Sequence, residues 1–289
     1  MNQLLDGDFE LDGFLLSGSN PDGLGIKGVQ RSASSDRVQD EYNPAGDNLQ
    51  MGRDFRSPPK WVFSLVVGHG PQEEVMRQLS QVARAWNHAP RGPGEESVLR
   101  YRAGGQLRRM YGRARNFQPE PDLLFSLGRV VAKAEFHPRE SVQYGDAPIG
   151  VTVGLIPSSS GGLVSPLISP LTTTAPSTPR QGVLTVEGDA PAPVEVTFRG
   201  PVINPSASST GWEIALNATL AYDQRVTVDT RLGTVLRNDG VSLAGSLSRR
   251  TYLPDALLQP GNREIIYRGT DATGTSTCTV AYRPAFYGF

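Results

Sequence analysis

Short stretches in which apolar and polar residues alternate, separated by turn residues, recur along most of the chain. The clearest in the first half is Lys60 to Gly68, where Trp61, Phe63, Leu65 and Val67 interleave with Val62, Ser64 and Val66. A period of two predicts a strand buried on one face and partly on the other. The period then changes. Val75, Leu79, Val82 and Trp86 recur at helical spacing, with Met76 and Ala83 widening the stripe. Pro71 suits the first helical position, and Glu73 and Glu74 fall in the first turn, where exposed amides favour negative charge. Pro90 to Gly94 ends this helix. Before it, Phe14 to Leu16 and Gly25 to Gln30 read as short strands around the turn Ser17 to Gly23, and Ser32 to Gly46 as a polar loop. After it, Ser97 to Tyr101, Leu107 to Phe117 and Leu123 to Phe136 read as strands, the last interrupted near Gly128. Gly104-Gly105 joins the first two as a hairpin. These elements predict an antiparallel α+β domain with one packed helix over residues 1–145.

The second half is all β in pattern. Val151 to Ile156 opens it, followed by Val183 to Glu187, Val194 to Arg199, Trp212 to Leu216, Thr219 to Tyr222, Arg225 to Asp229, Gly233 to Leu236, Glu264 to Arg268 and Thr275 to Tyr282. Asn238-Asp239-Gly240 sets Val235-Leu236 against Val241 to Leu243 as a hairpin. Many short strands at this spacing predict a β-sandwich or jelly roll over residues 146–289, so the chain as a whole is mainly β. One stretch departs from the pattern. Residues 157–180 hold five prolines and many Ser/Thr residues, punctuated by Leu163-Val164 and Leu167-Ile168. The apolar pairs predict an inserted arm that docks on its own domain or on a neighbour, since a free linker has little use for them.

Length and composition agree with this division. At 289 residues two domains are the natural expectation. Gly 32 and Pro 23 suit many turns, and a hydrophobic fraction of 38% supports real cores. Twenty-eight basic against 29 acidic residues leave a net charge of -1, which supplies no global attraction to nucleic acid or to a membrane surface. A charge so near zero disfavours a free soluble monomer and suits life in an assembly. Met1 to Glu10 is acidic without an apolar core, so no signal peptide is expected there and synthesis in the cytoplasm follows. The longest apolar run, around Leu65 to Val67, is too short to cross a bilayer, and no membrane insertion is expected.

Catalytic and metal chemistry find little support. A single cysteine, Cys278, excludes an intrachain disulfide and a multi-cysteine metal site; its strand setting predicts a small core residue. His69, His88 and His137 form no cluster by spacing, and no acid near them in the chain has metal-ligand character. Gly23-Leu24-Gly25-Ile26-Lys27-Gly28 matches a dinucleotide-binding spacing, but no helix follows it, so the glycines read as turn residues. No Gly-x-Ser-x-Gly elbow or Walker-type loop occurs. No catalytic residue, metal or cofactor is therefore assigned, and the chain is not expected to be an enzyme.

Contact surfaces are better represented. Arg100, Arg102, Arg108, Arg109, Arg113 and Arg115 lie in one stretch without an acid. Arginine interleaved with Tyr111 suits single-stranded nucleic acid, but an intersubunit or lumen-facing surface explains it better, because the guanidinium fork pairs with carboxylates. Asp6, Asp8, Glu10 and Asp12 of a neighbouring copy are one possible partner set. Trp212 and Tyr222 are the aromatics to consider for carbohydrate contact, although both sit in strand patterns that more often belong to a core.

Several local features resemble one family. Gly188 to Pro193 leads into Val194 to Gly200 and then Val202-Ile203-Asn204-Pro205; Thr227 to Thr230 precedes Val235 and Gly240. Leu257 to Ile265 carries a Pro-Gly-Asn turn before a late strand, and Val280 to Phe286 resembles a closing strand. Together with Phe117 and Leu123 to Tyr144, these are similar to the distal tail, or minor tail, proteins of long non-contractile-tailed bacteriophages. The resemblance implies an N-terminal ring-forming domain and a galectin-like sandwich. It also implies a homo-oligomeric ring, commonly six copies, at the distal end of the virion tail. Such a ring connects the tail tube protein to the baseplate or tip hub, supports receptor-binding proteins used in host attachment, and leaves a channel for DNA and the tape-measure protein. The other reading is a carbohydrate-binding adhesin module of the virion.

Overall fold

The computed structural model describes residues 4–17, 24–33, 35–68, 70–87, 92–120, 128–155 and 182–288. His69, His88 and the predicted docking pairs Leu163-Val164 and Leu167-Ile168 lie outside these residues. The chain divides into two compact units, 1–146 with 287–289, and 147–286, so residues 287–289 group with the first unit.

The first unit contains β1 (Phe9–Leu11), β2 (Phe14–Leu16), β3 (Leu24–Arg31), β8 (Trp61–Val67), β9 (Ser97–Ala103), β10 (Gln106–Glu120), β11 (Val130–Pro138) and β12 (Gln143–Gly145). Between β3 and β8 lie four two-residue strands: β4 (Asp36–Arg37) pairs with β7 (Phe55–Arg56), and β5 (Glu41–Tyr42) with β6 (Leu49–Gln50). Seven strands form an antiparallel sheet in the order β2-β1-β9-β10-β11-β8-β3, and β12 pairs with β10. Two hairpins have turns whose central residues take positive φ: Asp12 and Gly13 between β1 and β2, and Gly104 and Gly105 between β9 and β10. Turns of this kind match the right-handed twist of the strands they join. Strand β1 is not among the predicted strands, although Asp12-Gly13 between Phe9-Glu10-Leu11 and Phe14-Leu15-Leu16 is a hairpin signal.

The α-helix of the described residues, α1 (Gln72–Asn87), covers one face of this sheet. Val75, Val82 and Trp86 are buried as the periodicity predicts. Met76 is 46% exposed instead of widening the stripe, and Gln78 takes a buried position with its amide donating to Glu74 at 2.9 Å. Beneath the helix, register stacks the alternating side chains of β8 and β11: Trp61 opposite Phe136, Phe63 opposite Ala134, Leu65 opposite Ala132. All six are buried, and Phe9 and Tyr101 extend the cluster with ring centroids 5.6 Å apart. Burial of each large apolar side chain contributes about 1.5–3 kcal/mol, so this layer dominates the stability of the unit.

A β-bulge locks helix to sheet. Between Arg115 and Gln118 the register of β10 against β11 shifts by one residue, with Asn116 at φ 51°. The Trp86 indole N–H donates to the carbonyls of Arg115 at 3.0 Å and Glu135 at 3.1 Å, on the two strands where the register breaks. A bulge frees such groups from the ladder, and a buried group left without a partner is costly.

The second unit is a β-sandwich. Its strands are β13 (Ile149–Gly154), β14 (Gly182–Val186), β15 (Ala192–Arg199), β16 (Val202–Ser209), β17 (Trp212–Ala215), β18 (Thr219–Leu220), β19 (Arg225–Asp229), β20 (Thr234–Arg237), β21 (Leu257–Leu258), β22 (Gly261–Thr270), β23 (Thr277–Tyr282) and β24 (Ala285–Phe286). One sheet runs β13-β23-β15-β19-β20 with β21 on β15; the other runs β14-β22-β16-β17 with β18 on β16. Inward residues of the two sheets meet, as in Phe198 and Tyr267, whose rings stack at 6.0 Å. The mainly-β architecture, α+β unit followed by sandwich, is the one expected from the patterning.

Strand β16 is not among the strands that the patterning predicts, and Asn204-Pro205 looks like a turn. The structure places both residues in a bulge against β22, where two residues face one between the pairs Ile203–Thr270 and Ser206–Arg268. Asn204 takes φ 50° there, and Pro205 sits where the ladder needs no N–H while its carbonyl accepts from Leu216 at 2.9 Å. The Asn238-Asp239-Gly240 turn forms as predicted, but it continues only into a single bridge, Leu236 to Ser242.

Replacing Trp86 with Phe keeps an aromatic side chain but removes the donor that serves both bulge carbonyls and part of the buried ring volume. The lost donor alone costs about 1–3 kcal/mol and the cavity adds to it, read as a lower urea midpoint for the first unit with an unchanged far-UV spectrum.

Candidate functional site

The arginine stretch falls on β9 and β10, and register decides what each side chain meets. Antiparallel pairing of β1, β9 and β10 places Glu10 opposite Arg100 and Arg100 opposite Arg109, in one row on the face away from the helix. Asp146, just beyond β12, completes the row. Arg100 donates to Glu10 at 2.7 Å and forms two hydrogen bonds with Asp146, at 3.0 and 2.8 Å. Arg109 donates to Asp146 Oδ1 at 2.9 and 2.6 Å. Arg100 and Glu10 are buried, with side chains 8% and 7% exposed.

Two guanidinium groups therefore face two carboxylates within one chain, a charge-balanced cluster. Hydrogen bonds to Asp146, working against burial, hold the Arg100 guanidinium above its ordinary value. Burial alone would raise the Asp146 carboxyl, but the hydrogen bonds from Arg100 and Arg109 outweigh it and keep the group below the usual carboxylate range. Tyr101 hydrogen-bonds Gln143 on the other face, and burial pushes its phenol up to about 12.

This placement changes the reading of the acidic segment. Asp6, Asp8, Glu10 and Asp12 serve their own chain. Asp6 lies 3.4 Å from Arg102 and accepts from the Gly105 amide, Asp8 accepts from the Leu5 amide at 2.9 Å, and Asp12 accepts from the Val98 amide at 2.7 Å. Arg100 and Arg109, expected at an intersubunit or lumen surface, are held inside this network because β1 lies directly beside β9. Arg108 donates to the Gly288 carbonyl at 3.4 Å. Asp146 carries no sequence signal for its part; it is one acid among many until β12 sets it beside both arginines.

Arg113 and Arg115 have a different setting. Arg113 donates to the carbonyls of Glu95 at 3.1 Å and Gly92 at 2.5 Å, bracing the segment before β9. Arg115 is exposed. Both line an open cleft of about 330 Å³ with Glu95, Glu96, His137 and Arg139. On the same face His137 lies 2.7 Å from Glu135, which also accepts from Asn116 at 2.8 Å. These bonds, His137 first, lower the Glu135 carboxyl.

The remaining candidates separate clearly. Trp212 is 7% exposed and belongs to the sandwich core, whereas Tyr222 is 67% exposed, so the two do not form one aromatic platform. Cys278 is fully buried and burial raises its thiol, which suits a core residue rather than a nucleophile. Among the described residues no group of three or more His, Cys, Asp or Glu is arranged to hold a metal ion, and no helix is long and apolar enough to cross a membrane.

The architecture of the described residues, a seven-stranded sheet under one helix followed by a two-sheet sandwich, has counterparts among solved structures. The chain is similar to the crystal structure of the SPP1 Dit (gp 19.1) protein, described as a paradigm of the hub adsorption apparatus in phages infecting Gram-positive bacteria. The TM-score is 0.63 at 12% identity, covering 96% of this chain and 98% of that one. It is also similar to chains of the phage P2 baseplate in its activated conformation with Ca and with Sr. There the TM-scores are 0.53 and 0.52 at 9% identity, covering 95% of this chain and 97% of those. No protein-family model and no curated protein matches the sequence. The resemblance to distal tail proteins read from turns and strand patterns is thus matched at the level of the fold.

Asp146 also predicts a pH dependence. Its folded pKa lies below the unfolded value of about 3.9, so its contribution is complete above that value and is lost as pH falls through the folded one. Stability of the first unit should be flat from neutral pH to about pH 5 and decline below about pH 4. Asp146→Asn should cost about 3–5 kcal/mol at pH 7 by leaving the buried Arg100 under-compensated, and should flatten the acid limb of a denaturation-midpoint titration.

Proposed function

We propose that this chain is a structural component of a phage tail tip. In this reading copies close into a ring, commonly of six, that joins the tail tube to the baseplate or tip hub and supports host-attachment proteins. The ring leaves a channel for DNA and the tape-measure protein. The chain performs no bond chemistry and acts in the virion, at the distal end of the tail. The observation that carries the proposal is the fold likeness to the SPP1 hub protein, which runs through both units and spans 96% of this chain and 98% of that one.

A closed ring needs a heterologous interface in which two different flanks of the unit are complementary. Arg113 and Arg115, with the cleft they line, are the part of the arginine stretch that remains turned outward and are assigned here to that interface or to the lumen. Arg102, paired with Asp6 at the surface, is a secondary contributor.

Negative-stain imaging of the purified chain, with and without tail-tube protein, tests the reading. Rings with a central hole are expected, and Arg115→Glu should reduce their number severalfold without altering thermal unfolding. A monomer that binds glycans would overturn the proposal.

A further inference from the structure

The outward face of the sandwich sheet β13-β23-β15-β19-β20 carries an ordered pattern. Register aligns Thr152, Thr279, Thr197 and Thr227 in one row across four strands, ending at Leu236 on β20. Hydroxyls join within the row, Thr152 to Thr279 at 2.9 Å and Thr197 to Thr227 at 3.1 Å. One row of like charge flanks it on each side. Glu195 lies directly opposite Asp229, and Arg199 directly opposite Arg225.

Like charges facing each other across a strand pair are destabilising. Glu195 and Arg199 are four residues apart on one strand, about 13 Å at 3.3 Å per residue, too far to pair across the threonines. Glu195, Arg199 and Arg225 are exposed and make no side-chain ion pair or hydrogen bond among the described residues. Leu236 is 42% exposed at the end of the row. A surface with this charge order suits a partner whose order is the reverse.

We infer that this sheet face pairs with the same face of a second copy of the chain. A two-fold axis lying along the threonine row sets each strand over its own copy and exchanges the two charged rows. Glu195 then meets Arg199 of the second copy, Asp229 meets Arg225, and Leu236 meets its own equivalent. The threonines, short and flat, let the faces approach. This is an isologous contact, distinct from the heterologous contact that closes a ring. The patch measures about 19 by 13 Å from strand spacing and rise, smaller than a permanent interface. The pairing is therefore weak and sensitive to salt.

Sedimentation velocity of the full chain at high concentration tests this, reading a doubling of whatever species is present in 500 mM salt. The proposal does not depend on what that species is, so failure here and failure to form rings are separate results. Wild type should double in about 50 mM salt, where screening is weaker. Glu195→Arg with Asp229→Asn should not double, nor should Arg199→Glu with Arg225→Glu, while an equimolar mixture of the two should. Asparagine is chosen at 229 because Asp229 also accepts from the Arg231 and Leu232 amides at 2.9 Å. Wild type that never doubles, as a face reserved for another protein would give, overturns the inference. So does doubling by either variant alone, or a mixture that stays undoubled while each variant melts as wild type does.

Discussion

The Arg100 guanidinium sits at the junction of three strands and one turn, held out of water between Glu10 and Asp146. A buried charge is tolerated only when opposite charge and hydrogen bonds replace its lost hydration. That requirement ties β1 to β9 through Glu10, and the segment after β12 to both β9 and β10 through Asp146, which Arg109 also engages. Each tie joins residues far apart in the chain. The cluster does not need to add net stability to matter. It makes any other register of β1 on β9 expensive, because a slip of one residue would strand the guanidinium and turn Glu10 into the aromatic layer.

On the opposite face the same sheet is held by shape. The row Trp61, Phe63, Leu65 and Val67 meets Phe136, Ala134, Ala132 and Val130 in register, and small alanines leave room for the helix that brings Trp86 down onto the bulge. Polar and apolar faces of one sheet therefore do separate tasks. One specifies pairing through charge, and the other supplies most of the burial energy. The outward arginines, Arg113 and Arg115, are carried by a strand whose position both faces agree upon, so a contact surface there is presented on a rigid support.

The sandwich manages its outer surface differently. Its inner faces are apolar, while the outer face of one sheet sorts acids, threonines and arginines into rows. Within a sheet, unlike charges across strands would neutralise one another, and rows of like charge leave that neutralisation to something outside. The proposed tail-tip role and the inferred pairing face are compatible: one interface type would close rings and the other would join faces through a two-fold axis.

Much of this was legible in the residues. The alternation of β8, the single helical stripe, the glycine hairpin between β9 and β10 and the repeated short strands after Val183 are local patterns, and local sterics and burial fix them. What escaped was non-local. Strand β16 was hidden because Asn204-Pro205 reads as a turn until a bulge in β16 against β22 accommodates it, and β1 gains its meaning only from β9 beside it. The six arginines were visible as a group, but periodicity cannot say which of them meets an acid. Strand order brought Glu10 and Asp146 to Arg100 and left Arg115 to solvent. Most strands and the helix follow from the chain alone, because they depend on neighbours a few residues away. Only the tertiary structure decided which charges are buried and which are offered, because that depends on which strands lie side by side.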